Sequence, residues 1–218
     1  HLGQQMIAAI TPRWDNIAAD DDFVFPYGAA HGLEGVALAF WHLYSATDDG
    51  EYARFSHEAW NRAARRRARQ HTRSLTKWCR GDIGVLWVQN ELDSVSGPNG
   101  EPFFSCDEER PFPTRASVDS LLSKAVWNDD TVCHGRCGAI DTLISCHRST
   151  NDVWYLDRAR RLMNDMLAEA CEGGSFKLGR IPEFVDLSYF LGPVGIAYTM
   201  LRIQDPTVPS ILALEVNR

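Results

Sequence analysis

Four Gly-x-x-Gly motifs constrain the fold of this chain more than any other feature of its sequence. They begin at Gly32, Gly81, Gly135 and Gly192, so the motif recurs roughly every 50 residues. A short apolar segment follows each motif, and a longer amphipathic segment follows the first three. An apolar segment is typical of a helix buried on most sides, and an amphipathic segment of a helix with one face in water. The sequence therefore predicts an all-α fold built from repeated helical hairpins in two layers.

Hydrophobic periodicity gives the expected helix bounds. The apolar inner helices are predicted at residues 36–46, 85–92, 139–146 and 196–203, and the amphipathic outer helices at 51–70, 114–127 and 152–170. Thr114 is the expected N-cap of the second outer helix, whose buried face is predicted to carry Val118, Leu121, Leu122 and Val126. Inner helices that pack on each other around an axis form an α/α toroid, or an arc of one.

The residues directly before the motifs carry the candidate chemistry. They include His31, Cys79 and the adjacent pair Cys133 and His134. Glycine lets backbones approach closely and adopt positive φ, so we expect the turns to aim these side chains at one end of the toroid. Thiolate and imidazole are ligands that zinc prefers, and three protein ligands with one open position are typical of a catalytic zinc. We therefore hypothesise that Cys79, Cys133 and His134 bind one zinc ion (Zn²⁺).

Simpler interpretations stand beside this hypothesis. A buried cysteine is usually a small hydrophobic residue, and Gly-x-x-Gly can serve helix packing alone. We adopt the packing interpretation for the fourth motif, which follows Phe190 and Leu191. Packing is also expected for Cys137, which lies inside the third motif, although its thiol could compete for metal. The remaining cysteines, Cys106, Cys146 and Cys171, have no motif around them and are expected to be structural.

Composition narrows the function classes. The 218 residues carry a formal net charge of -7, which argues against nucleic acid as the main partner. No apolar run approaches the roughly 20 residues that cross a membrane. Six cysteines are too few for a disulfide scaffold, and reduced thiols suit a metal site, so we expect a cytoplasmic protein.

The first residue, His1, predicts a fragment or a processed product. Residues 62–73 are basic and are interpreted as a solvated face or as a docking surface for an acidic peptide.

The segments HGLEG, WCRGDIG, CHGRCG and LGPVGIAYTMLRI resemble those of the lanthionine synthetase C-like (LanC-like) cyclases. The resemblance runs over residues 27–215, and residues 193–215 are most similar to the carboxy terminus of the type II (LanM-type) lanthipeptide synthetases. It implies an α/α toroid of seven hairpins, of which this chain would hold about four. Residues 1–218 would then be the C-terminal part of a single cyclase domain, with a dehydratase domain upstream in the full protein.

The resemblance also implies a reaction. LanC-like cyclases add a cysteine thiol of a dehydrated precursor peptide to dehydroalanine or dehydrobutyrine, and so form (methyl)lanthionine thioether rings. By the same resemblance His31 occupies the place of a family active-site histidine, which would supply the proton that completes the addition. This sequence departs from the family in two places: Leu75 stands where single-function cyclases carry Arg, and Arg80 where some members have Tyr or His.

Two other functions remain open at this point. The chain could be a LanC-like protein that binds zinc and a thiol such as glutathione without cyclase activity. It could also be a metal-free helical scaffold. Zinc content separates the scaffold from the other two functions, and ring formation on a dehydrated peptide separates the cyclase from the thiol-binding protein. An incomplete toroid would expose inner-helix faces, so we expect the chain to associate.

Overall fold

The regular structure of the chain is helical wherever it is described. The computed structural model describes residues 3–5, 7–9, 27–69, 76–104, 110–112, 114–178 and 186–212. From residue 27 onward these ranges contain α1 (Leu33–Thr47), α2 (Gly50–Arg69), α3 (Asp82–Ser94), α4 (Arg115–Ser123), α5 (Arg136–Thr150), α6 (Val153–Gly173) and α7 (Pro193–Gln204). Residues 3–5 and 7–9 are also helical, and the described ranges contain no strand. The prediction of an all-α fold is confirmed.

The helices form two layers. The short helices α1, α3, α5 and α7 pack side by side in chain order, while α2 packs on α1 and α6 packs on α5. Helix α5 is buried along most of its length, whereas α6 buries one stripe only, made of Leu156, Ala159, Met163 and Met166. An inner row of apolar helices with amphipathic helices outside it is the arrangement of an α/α toroid. The inner helices α1, α3, α5 and α7 and the outer helices α2 and α6 are those that the periodicity predicts.

The four Gly-x-x-Gly motifs form four equivalent turns, numbered here in chain order. The first glycine of each turn is the N-cap of an inner helix. The second glycine lies against the carbonyl group of the residue six positions earlier. A Cβ atom added there would lie only 1.9 to 2.1 Å from that oxygen in all four turns, at Gly35, Gly84, Gly138 and Gly195. Glycine is therefore required because the loop before each inner helix crosses directly over the first turn of that helix.

A chain of backbone hydrogen bonds joins the four turns. The links run between the residues two positions before the first glycine of each turn. The amide of Ala30 donates to the carbonyl of Cys79 (3.1 Å), that of Cys79 to Cys133 (3.3 Å), and that of Cys133 to Phe190 (2.9 Å). The turns therefore lie in a row at one end of the inner helices, and equivalent residues of neighbouring turns are adjacent in space.

Ion pairs fasten two of the turns to the outer helices. Glu34 of the first turn is fully buried and pairs with Arg67 near the end of α2. Arg136 of the third turn is equally buried and donates two hydrogen bonds of 2.9 Å to Glu169 near the end of α6, and one of 2.7 Å to Asp130. Both turn-to-helix pairs join residues 33 positions apart, with the charges reversed. Each pair holds an outer helix against its own inner helix.

The second outer helix differs from its prediction. Thr114 caps α4 as expected, because its hydroxyl accepts a hydrogen bond from the Ser117 amide in a capping box. The C-terminal end of the prediction was wrong: α4 stops at Ser123 rather than at 127, and Val126 is 72% exposed. The amide of Ala125 donates to Leu122, which closes a tight turn and takes Val126 out of the helical periodicity.

Part of the predicted basic surface has a structural role. Besides pairing with Glu34, the guanidinium of Arg67 lies over the ring of Trp60, 5.2 Å from its centroid. Arg62 pairs with Glu58 on the same helix, with its Nε 2.5 Å from the carboxylate. Residues 70–73 of the basic stretch lie outside the described residues. Arg67 therefore belongs to the framework rather than to a free docking surface.

Candidate metal centre

Three predicted ligands converge at the row of turns. One ligand atom from each of Cys79, Cys133 and His134 lies within 4.8 Å of the other two. Cys79 comes from the second turn and the other two from the third, and the hydrogen bond between Cys79 and Cys133 brings these turns together. Cys79 is 1% exposed, and Cys133 and His134 are partly buried. Among the described residues this is the only group of three such side chains found close enough to hold one metal ion.

The donor set fits zinc. Zinc takes sulfur at about 2.3 Å and imidazole nitrogen at about 2.0 to 2.1 Å in tetrahedral sites, so ligand atoms on one ion are separated by roughly 4 Å. Small side-chain rotations would bring the three atoms to that spacing. Two sulfurs and one imidazole leave one tetrahedral position for another ligand. With the ligands that the described residues supply, the cluster is suited to an open zinc site.

A hydrogen bond between the two thiols shifts their pKa values in opposite directions. The pKa of Cys79 is lowered to about 7 because the Cys133 thiol donates a hydrogen bond to its sulfur; burial opposes this shift, and the charges of Arg80 and Lys77 support it. The pKa of Cys133 is raised, by the same hydrogen bond and by burial. The first proton to leave therefore belongs to the hydrogen-bonded pair, and the thiolate that forms is stabilised by the thiol that keeps its proton.

His31 lies next to the cluster but is not one of its three members. The backbone amide of His31 donates a hydrogen bond of 3.0 Å to the carbonyl of Cys79, and His31 is exposed. His31, Arg80 and His134 occupy the same position in three neighbouring turns, directly before the first glycine. This arrangement places His31 and Arg80 beside Cys79 along the row. The catalytic role of His31 remains a prediction.

The other cysteines lie outside the cluster. Cys137 is buried, and its sulfur lies 3.9 Å from the sulfur of Met166 on α6. Burial raises its pKa, which favours a protonated packing residue over a metal ligand. Cys146 is buried and Cys171 is exposed, and the five described cysteines are all free thiols. Cys106 and the departure at Leu75 lie outside the described residues.

The fourth turn packs against the second turn and is hydrogen-bonded to the third. Phe190 is 41% exposed, and its ring stacks on that of Trp78 with 5.9 Å between the centroids. Its carbonyl accepts the hydrogen bond from Cys133 that ends the row. The signal in the sequence is positional, because Phe190 stands two residues before a first glycine, as Cys79 and Cys133 do.

A comparison with known protein families agrees with this description. Residues 12–215 match the family described as "Lanthionine synthetase C-like protein". The match covers nearly the whole chain, so the chain belongs to the LanC-like family. This family includes lanthionine cyclases, is often zinc-binding and acts on peptide substrates. No helix in the described part of the chain has the length and apolar character needed to span a membrane.

Proposed function

We propose that residues 1–218 are the C-terminal part of a zinc-dependent LanC-like cyclase domain of a type II (LanM-type) synthetase, with a dehydratase domain upstream. The substrate is a dehydrated precursor peptide, and the products are lanthionine and methyllanthionine rings. One observation carries the proposal: Cys79, Cys133 and His134 converge within 4.8 Å in a chain that belongs to the LanC-like family.

The proposed chemistry starts from a thiol that is protonated at neutral pH. A free cysteine has a pKa of about 8.5, and the thiolate is the nucleophile. Zinc held by Cys79, Cys133 and His134 would supply an open position at which a peptide thiol loses its proton. The backbone hydrogen bond between Cys79 and Cys133 holds the second and third turns together, and so keeps the three ligands close to each other.

Ring closure needs a proton as well as a nucleophile. The thiolate sulfur attacks the β-carbon of the dehydro residue, the electron pair of the double bond moves towards the carbonyl, and the α-carbon takes up a proton. We assign this proton to His31, because an imidazole is the commonest proton-transfer group in proteins and because the backbone of His31 is hydrogen-bonded to that of Cys79. The peptide thiol releases one proton and the α-carbon gains one. The thiol proton can therefore reprotonate the imidazole in each turnover.

A second candidate function rests on the same three ligands. A cluster with an open position also suits a protein that binds zinc and a thiol such as glutathione without closing rings. This alternative needs the cluster but has no use for a proton donor at His31. The two functions therefore make different predictions for a dehydrated peptide.

The deciding experiment uses a synthetic peptide with one cysteine and one dehydroalanine. Cyclisation leaves the mass unchanged but removes the free thiol, so alkylation followed by mass spectrometry counts the rings. The cyclase proposal predicts thiol loss well above the spontaneous rate, and a return to that rate in Cys133→Ala. A chain that binds the peptide thiol but leaves ring closure at the spontaneous rate is the thiol-binding alternative.

A further inference from the structure

The row of turns places four different side chains at one repeated position. Ala30, Cys79, Cys133 and Phe190 occupy the position two residues before the first glycine, and their backbones are linked by consecutive hydrogen bonds. In the second and third turns this position supplies the two sulfurs of the metal centre. The neighbouring positions of the row are therefore the immediate flanks of the site, Ala30 beside Cys79 and Phe190 beside Cys133.

The Phe190 flank is an aromatic wall. The Phe190 ring is stacked at 30° on Trp78 and makes an edge contact at 84° with Tyr189, with 5.3 Å between those two centroids. Trp78 in turn makes an edge contact with Trp87 of α3, and both tryptophans are buried. Rings packed in this way hold Phe190 in place while 41% of the residue stays exposed. The exposed part is a fixed apolar surface on a residue whose backbone is hydrogen-bonded to that of Cys133.

The opposite flank has a different character. Ala30 is small and exposed, and it is followed by the exposed imidazole of His31. The charges of Arg80 and Lys77 lie close enough to Cys79 to act on its thiol. A peptide whose thiol reaches the cluster would meet a polar, positively charged side at the first and second turns and an aromatic side at the fourth.

We propose that Phe190 is a specificity-determining residue, whose ring binds a bulky apolar side chain adjacent to the substrate cysteine. The proposal rests on the proposed function, because it concerns a peptide thiol bound at Cys79, Cys133 and His134. A side chain such as leucine loses contact with water when it covers the Phe190 ring, whereas serine gains little there. The peptides preferred by this chain would therefore carry apolar residues next to their cysteines.

The test measures thiol binding and needs no turnover. The full chain is loaded with cobalt(II), and binding of the peptide thiolate is followed by the rise in charge-transfer absorbance above that given by the Cys79 and Cys133 thiolates. The probes are the acetylated, amidated tripeptides Leu-Cys-Leu and Ser-Cys-Ser. We expect the parent chain to bind the leucine peptide about tenfold more tightly, since burial of roughly 55 Å² of apolar surface has that effect. The preference should fall below about twofold in Phe190→Ala and be partly kept in Phe190→Leu, because the apolar area falls in that order.

A matched control separates this wall from general hydrophobicity. Leu187 precedes the fourth turn and is 63% exposed, so Leu187→Ala removes a similar apolar area and should leave the preference unchanged. A Phe190→Ala chain that keeps the full preference overturns the inference alone. A parent chain whose charge-transfer absorbance does not change with either peptide overturns the proposed thiol binding, and the inference falls with it.

Discussion

The second and third turns have the same backbone arrangement as the first and fourth turns, but they carry different side chains. All four have a glycine N-cap, the same close approach of a carbonyl group to the second glycine, and a place in one chain of hydrogen bonds. Only the two middle turns carry Cys79, Cys133 and His134. The comparison teaches that the repeated glycines build a scaffold with equivalent positions, and that the side chains at a few of those positions decide where the metal centre lies.

The largest expected effect comes from the glycines that the four turns share. An added Cβ at Gly138 would lie 2.1 Å from the carbonyl oxygen of Val132, and one at Gly195 would lie 1.9 Å from that of Tyr189. We expect each Gly→Ala change to lower the free energy of unfolding by at least about 4 kcal/mol, because backbone must move to relieve the clash. Urea denaturation measures the loss.

The control for this prediction is Gly173 at the end of α6, where an added Cβ meets nothing within 4 Å. Gly173→Ala should be neutral or stabilising by up to about 1 kcal/mol. If Gly195→Ala were tolerated while Gly138→Ala was not, the glycines would serve the metal centre rather than the scaffold, and the comparison would fail.

The next effect concerns the buried ion pair of the first turn. Replacing Arg67 by Leu leaves the fully buried Glu34 carboxylate without its charge partner, which should cost about 3 kcal/mol of unfolding free energy. On the same helix the side chains of Arg54 and Glu51 are 68% and 44% exposed, so Arg54→Ala should change stability by less than about 1 kcal/mol. Thermal or urea unfolding compares the two variants. Equal, small losses would show that the first turn does not depend on its anchor to α2.

The histidines before the first and third turns sharpen the comparison further. His134 is a member of the ligand cluster, whereas His31 is exposed outside it. His134→Ala should therefore lower metal content, while His31→Ala should keep the metal and thiol binding but slow ring closure by about a hundredfold, the usual size of a lost proton donor. Metal analysis and the alkylation assay on both variants make the distinction. A His31→Ala chain that closes rings at the parent rate would remove the histidine from the mechanism.

The helical scaffold could be predicted from the sequence because it is periodic. The spacing of the glycines and the alternation of apolar and amphipathic segments are local signals. Thr114 is another, because a threonine at the N-cap marks the start of a helix. The C-terminal end of α4 was missed because Val126 continues the apolar pattern after the helix has stopped. Local patterns fix where a helix can form more firmly than where it ends.

The side-chain contacts between distant elements were harder to predict from the sequence. The pairs Glu34–Arg67 and Arg136–Glu169 depend on how each hairpin closes, which no local pattern specifies. The convergence of Cys79 with Cys133 could be predicted because both stand at the same position of a repeated turn. The same argument applied to Phe190 would have placed it beside the site, but its aromatic side chain suggested packing alone.

Elemental analysis of metal content tests the central claim most directly. The samples are the parent chain, Cys79→Ala, Cys133→Ala and, as a matched control, Cys171→Ala at an exposed cysteine outside the cluster. The account predicts about one zinc per folded chain in the parent and in Cys171→Ala, and loss of the metal in the other two variants, because a catalytic-type site has only three protein ligands. A folded parent chain without zinc, or zinc retained in Cys79→Ala or Cys133→Ala, would contradict the claim that the second and third turns meet at a shared metal.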